Sequence, residues 1–94
     1  FAGNATPELF ARWMQVGILY PLMRGHSMIG TKRHEPWEFG REVEEICRKY
    51  IELRYQLLPY FYTLFWQAAS KGEPVLRPFV YQYSHDEKTY EIYV

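Results

Sequence analysis

The sequence holds one cysteine, Cys47, and one aspartate, Asp86, in 94 residues. A lone cysteine excludes an intrachain disulfide framework. Basic and acidic side chains balance at eleven each, so the chain lacks the positive excess that nucleic-acid-binding faces concentrate, and nucleic acid is not an expected partner. No apolar run approaches the roughly 18 residues of a membrane span, so no membrane partner is expected. A glycine-rich phosphate cradle and a Ser-centred elbow are also missing. His26, His34, His85 and Cys47 show neither helical pair spacing nor a zinc-like pattern, so no metal, and no other cofactor, is expected.

Aromatic residues, by contrast, are abundant at 19%, within an apolar share of 48%. The nine tyrosines and three tryptophans are amphipathic groups that suit the edge of a site or an internal interface. They suit the buried wall of a large domain equally well, and composition does not separate the two.

Thr6-Pro7-Glu8 has the form of a helix start: a hydroxyl cap, proline in the first turn, and an acid at the positive end of the dipole. With Leu9, Trp13 and Val16 at helical spacing and Gly17 as a stop, a short helix is predicted from Pro7 to Val16. The apolar run Ile18-Leu19-Tyr20-Pro21-Leu22-Met23 predicts a short buried strand whose pairing ends near Pro21, which has no amide to donate. Arg24 to Gly40 reads as a long polar loop, of the kind that often carries function. A long helix is then predicted from Arg41 to about Lys71, with Val43, Ile46, Tyr50 and Leu53 on one face and Arg48, Lys49 and Glu52 solvated. Glu42, Glu44 and Glu45 are explained by the start of this helix. Pro59 predicts a kink or two abutting helices, Gly72 and Pro74 a stop, and Val75 to Val80 a second strand.

A strand, a crossover helix and a second strand imply parallel pairing, and thus an α/β sheet or barrel. Two parallel strands do not stand alone, because edges and faces would both be exposed. The expectation is therefore a piece of an α/β sheet or barrel, mostly helical in content, that needs neighbours this sequence does not supply. In such a barrel the loop after a strand lies on the catalytic face, which places Arg24 to Gly40 there.

On that loop, a histidine in the position of His26 can hydrogen-bond a substrate hydroxyl, act as acid or base, bind a metal, or merely tie the loop down. Arg24 can hold a carboxylate or form a structural ion pair. Trp37 reads as a packing anchor rather than a sugar-stacking wall, and Lys32-Arg33-His34 as a solvated cluster. Cys47, inside the long helix with no adjacent histidine, reads as a buried structural thiol.

Several motifs in register carry a resemblance. Glu8-Leu9, then Arg12-Trp13-Met14-Gln15-Val16-Gly17, then Tyr20-Pro21-Leu22-Met23-Arg24-Gly25-His26 resemble glycoside hydrolase family 31. Glu35-Pro36-Trp37-Glu38-Phe39-Gly40, the run from Arg48 to Tyr60, and Gly72-Glu73-Pro74-Val75-Leu76-Arg77-Pro78 are similar to the same family in the same order.

The resemblance implies a fragment of a (β/α)8 TIM barrel that needs the remainder of the barrel as its partner: residues 1–83 are part of the catalytic barrel, from after its sixth strand through its eighth, and residues 84–94 begin the connection to a following domain. It implies a retaining α-glucosidase acting on terminal α-linked glucose of oligosaccharides, with its two catalytic aspartates on loops before this segment. The chain alone is then inactive, because Asp86 matches no catalytic motif. His26 stands where the family has a histidine that contacts sugar hydroxyls, and Phe1 where it has an aromatic lining the same subsite. Arg24 is assigned to shaping the loop. The Glu35-Pro36-Trp37 form resembles α-glucosidase members more than α-xylosidase members, which remain an alternative. A non-catalytic helical interaction module, with Tyr55 to Trp66 as its binding face, is the rival from another class. The compartment is left open, with the cytoplasm favoured.

Overall fold

Helix α1 (Pro7–Gly17) begins where the sequence provides a cap. The Thr6 hydroxyl accepts a hydrogen bond from the Leu9 amide at 3.2 Å, satisfying one of the otherwise orphaned first-turn donors. The computed structural model describes residues 3–92. Their order is α1, a 3₁₀ turn at Pro36–Phe39, the long helix α2 (Arg41–Lys71), a single helical turn α3 (Phe79–Gln82), and a second 3₁₀ turn at Glu87–Tyr90. They fall into two compact units, Phe1–Phe61 and Tyr62–Val94, with α2 contributing to both.

In the first unit, Ala11 of α1, Phe39, and Val43 and Cys47 of α2 form a small core, flanked by Ala5, Phe10, Met14 and Ile46. Cys47 is fully buried, which pushes its thiol pKa up because the thiolate would lose its water. The buried line of α2 runs through Val43, Cys47 and Phe61, while Leu53 of the predicted face is exposed. Two i,i+4 ion pairs line the start of this helix, Arg41 with Glu45 at 2.9 Å and Glu44 with Arg48 at 3.0 Å. The helix runs unbroken through Pro59, so the predicted division into two abutting helices is absent.

Neither predicted strand forms among the described residues. The first part of the run from Ile18 to Met23 instead closes α1: the amides of Leu19 and Tyr20 bond back to the carbonyls of Val16 and Gly17, both at 3.1 Å. Pro21, which lacks an amide and disfavours helix in the residue before it, ends that turn. From Met23 to Met28 the chain has no regular hydrogen-bonding pattern. The physical reason is that a strand is a property of a pair: without a neighbour, its amides and carbonyls have no ladder to join.

In the second unit, Gly72 stops α2 in the left-handed conformation at φ 71°, its amide bonding to the Ala68 carbonyl at 3.0 Å. The region from Val75 to Val80 is bent, and its end enters α3. Arg77 binds the Glu73 carboxylate at 2.7 Å and the Pro74 carbonyl at 2.9 Å. Asp86 caps the last 3₁₀ turn by accepting from the Lys88 amide at 3.1 Å. Buried Thr89 donates its hydroxyl to the Asp86 and Tyr83 carbonyls. No helix among the described residues is long and apolar enough to cross a membrane.

Candidate functional site

The loop from Arg24 to Gly40 is tied down at several points. The Lys32 amide donates to Asn4 Oδ1 at 2.7 Å, and Thr31 closes a turn onto the Met28 carbonyl through both its amide and its hydroxyl. Phe39 is the buried anchor, stacked on Phe10 with ring centroids 4.2 Å apart. The Lys32 ammonium lies 4.6 Å from the Phe39 ring centre, and the half-buried His34 ring sits near both Phe10 and Phe39. The expected solvated cluster holds for Lys32 and Arg33, which are exposed, and is corrected at His34, whose half-buried imidazole gains, like the Lys32 stem, from covering aromatic carbon. The expected anchor is corrected as well. Trp37 is 63% exposed and is not the anchor; Phe39, two residues later, points into the core instead.

Within this loop Arg24 and His26 meet directly. Arg24 Nη2 lies 2.6 Å from His26 Nδ1. A guanidinium donates and cannot accept, so Nδ1 is the acceptor and the ring proton resides on Nε2. The pair thus turns an ambiguous imidazole into an oriented Nε2–H donor, suited to an oxygen acceptor such as a hydroxyl.

His26 opens onto a concavity of about 280 Å³ shared with Gly25, Ser27, His34, Glu35 and Pro36. Two buried atoms in these walls, His34 Nε2 and Glu35 Oε2, have no hydrogen-bond partner in this structure. A second concavity, of about 300 Å³, lies between Pro36, Trp37, Ile51 and Tyr55, with Glu44, Arg48 and Glu52 at its rim. Phe1 lies outside the described residues. Asp86 is occupied as a helix cap, and no three His, Cys, Asp or Glu side chains among the described residues gather as metal ligands.

One polar residue of this region escaped the reading of the sequence. Arg54 of α2 donates from Nη1 to the carbonyls of Ile18 at 2.6 Å and Tyr20 at 2.8 Å, and from Nη2 to Pro21 at 3.1 Å. A signal was present in its register: Arg54 stands seven residues after Cys47 and seven before Phe61, which puts a cation on the buried line of the helix. A cation placed there needs acceptors, and backbone carbonyls supply them.

A family model described as the glycosyl hydrolases family 31 TIM-barrel domain matches residues 1–64. The chain belongs to this family. Among its relatives, Alpha-glucosidase 2 of Bacillus thermoamyloliquefaciens is 53% identical over 99% of this chain and 12% of its own length. A probable glucan 1,3-alpha-glucosidase of Arabidopsis thaliana is 52% identical over 96% of this chain and 10% of its own. The chain therefore spans about a tenth of the curated relatives it matches. Among solved structures, the family 31 dextranase of Flavobacterium johnsoniae, in complexes with isomaltotriose and with glucose, matches with a TM-score of 0.85. That match covers 92% of this chain and 10% of the dextranase, at 43% identity. The family's TIM barrel accounts for the mostly helical content with no strand among the described residues: this segment holds barrel helices, and a parallel strand needs partners on either side.

Proposed function

We propose that this chain is one segment of the catalytic barrel of a retaining α-glucosidase, and that it supplies a wall of the sugar pocket. The supporting observation is the near-complete likeness of the chain to α-glucosidases, at up to 53% identity over 99% of its length. The complexes of the dextranase with isomaltotriose and with glucose favour a glucose-built substrate. In this reading the stretches near Ile18–Met23 and Val75–Val80 are completed as the seventh and eighth barrel strands by neighbours from the rest of the protein. Residues 84–94 then lead toward a following domain.

Retaining hydrolysis requires two carboxyl groups about 5 Å apart, one as nucleophile and one as acid and base. Asp86, the single aspartate of the chain, is committed to a cap, so both groups come from outside this segment. The role of His26 is to bind. Its Nε2–H, oriented by Arg24, donates to a sugar hydroxyl, and Phe1 lines the same subsite. Such a contact accelerates the reaction when it strengthens as the sugar ring flattens toward its oxocarbenium-like transition state.

The test is His26→Ala in the full-length enzyme, assayed on a maltose-type substrate. Loss of one buried neutral hydrogen bond that leaves its partner unsatisfied corresponds to about 1–3 kcal/mol, so kcat/KM is expected to fall by roughly 5- to 150-fold. Unchanged kinetics would remove His26 from the pocket.

A further inference from the structure

We propose that Arg54 is a positioning residue for the sugar pocket: from helix α2 it clamps the segment that delivers Arg24 and His26, and so sets where His26 meets the substrate. The inference rests on the reading of His26 as a sugar contact.

Three observations carry it. First, one guanidinium gathers carbonyls of three residues that are 33 to 36 positions away in sequence. These carbonyls lie at the end of α1 and in the turn beyond it, where the backbone has left the helix and joins no ladder among the described residues. The C-terminal end of a helix also carries partial negative charge, which a cation complements. Second, the clamp is itself held. The Arg54 side chain is half-buried, and its guanidinium lies 4.6 Å from the ring centre of Phe61, which is only 5% exposed. Partial desolvation of a cation is unfavourable, and here three charge-assisted bonds and an aromatic face offset it. Third, the clamped segment ends close to the site: Pro21 precedes His26 by five residues, and between them the chain has no regular hydrogen-bonding pattern of its own.

Arg54 thereby fixes the backbone five residues before His26, so a displacement at Pro21 shifts where Arg24 and His26 meet the substrate. Misplacement of a substrate-binding group by about 1 Å can lower a rate by roughly 100-fold. Lysine is a poor substitute, because its single nitrogen cannot span carbonyls that here engage both ends of a fork.

The bland alternative is a clamp that only stabilises the fold, and a double-mutant cycle separates the two. In the full-length enzyme, kcat/KM on a maltose-type substrate is measured for Arg54→Met, Arg54→Lys, His26→Ala and the two double variants, below the melting temperature of the weakest. Arg54→Met is expected to lower kcat/KM by about tenfold or more when His26 is present, and by less than about twofold when His26 is already alanine. Arg54→Lys follows the same pattern with a smaller loss. Crystal structures of the Arg54 variants are expected to show an intact barrel with His26 displaced relative to α2.

Additive effects of the two substitutions overturn the inference, and so does a His26 that keeps its place in the variant structures. If Arg54→Met does not fold, the Arg54→Lys cycle decides by the same criterion. Unchanged kinetics for His26→Ala alone overturns the sugar-contact reading instead. The crystallographic position of His26 then still decides whether Arg54 acts as a clamp.

Discussion

Residues 3–61 and residues 62–92 differ in how far their contacts reach along the chain. In the first region, Ala11, Phe39, Val43 and Cys47 come together from three elements, and Arg54 and Asn4 bind backbone 28 to 36 residues away. In the second, the hydrogen bonds of Ser70, Arg77, Lys88, Thr89 and Tyr90 reach partners no more than six residues distant. Thr89 is the one buried residue there among those described, while Phe65, Trp66, Leu76, Phe79 and Tyr81 are exposed. The contrast separates two ways of meeting the same requirement. The first region builds a small core and ties down loop backbone across long sequence distances, though Trp13, Leu22, Ile29 and Trp37 stay exposed, whereas the second is a series of local turns.

Replacing Phe39 with alanine should break the comparison most severely. Phe10, His34 and Lys32 all lean on its ring, and emptying a buried phenylalanine site costs about 3–5 kcal/mol. The urea midpoint of the chain is the measurement, and a shift no larger than that of a surface variant would show that the first region has no core of its own. Cys47→Ser should follow, at about 1–3 kcal/mol, because it puts an additional hydroxyl where no solvent reaches.

The same cysteine gives a pH prediction. Burial raises its pKa in the folded chain above the unfolded value. The corresponding stability is fully present below the unfolded pKa of about 8.5 and is lost as pH rises through the higher folded value. Stability measured from pH 8 to 10 should therefore fall more steeply for the unaltered chain than for Cys47→Ala, and parallel curves would refute the linkage.

In the second region the expected effects are smaller. Gly72→Ala meets no atom within 4 Å, so only the left-handed backbone opposes it, at about 1 kcal/mol. A loss above about 3 kcal/mol, beyond what this conformation costs, would reveal packing around Gly72 that local turns do not supply. Smallest of all, Arg48→Ala removes an exposed pair with Glu44 and should shift stability by no more than about 0.5 kcal/mol.

Local chemistry was legible in advance where it depended on neighbours in sequence. Thr6, Pro7 and Glu8 start α1 and Gly72 stops α2, both through contacts within a few residues. The choice of Phe39 over Trp37 as the loop's anchor was not legible, because both are large apolar groups within three residues and only the 3₁₀ turn decides which one faces the core. His34 looked like part of a basic surface run, and only the folded loop lays its ring against Phe10 and Phe39. The family was legible because several motifs occur in order, and the comparison with relatives confirmed it.

By itself, then, the sequence determined α1 and α2, the cap that starts the first, the glycine that stops the second, and the family, since each rests on short-range preference or on an ordered pattern of residues. The turn α3 and the two 3₁₀ turns were not legible. Tertiary structure alone decided what becomes of the backbone between Ile18 and Met28. An unbroken apolar run between Gly17 and Gly25 marks its first half as a strand, but a strand needs a partner, and among the described residues Arg54 takes the carbonyls instead. Tertiary structure also brought Arg24 Nη2 against His26 Nδ1, and with that contact placed the ring proton on Nε2. Spacing of two residues permits such a contact, but only the path of the loop produces it.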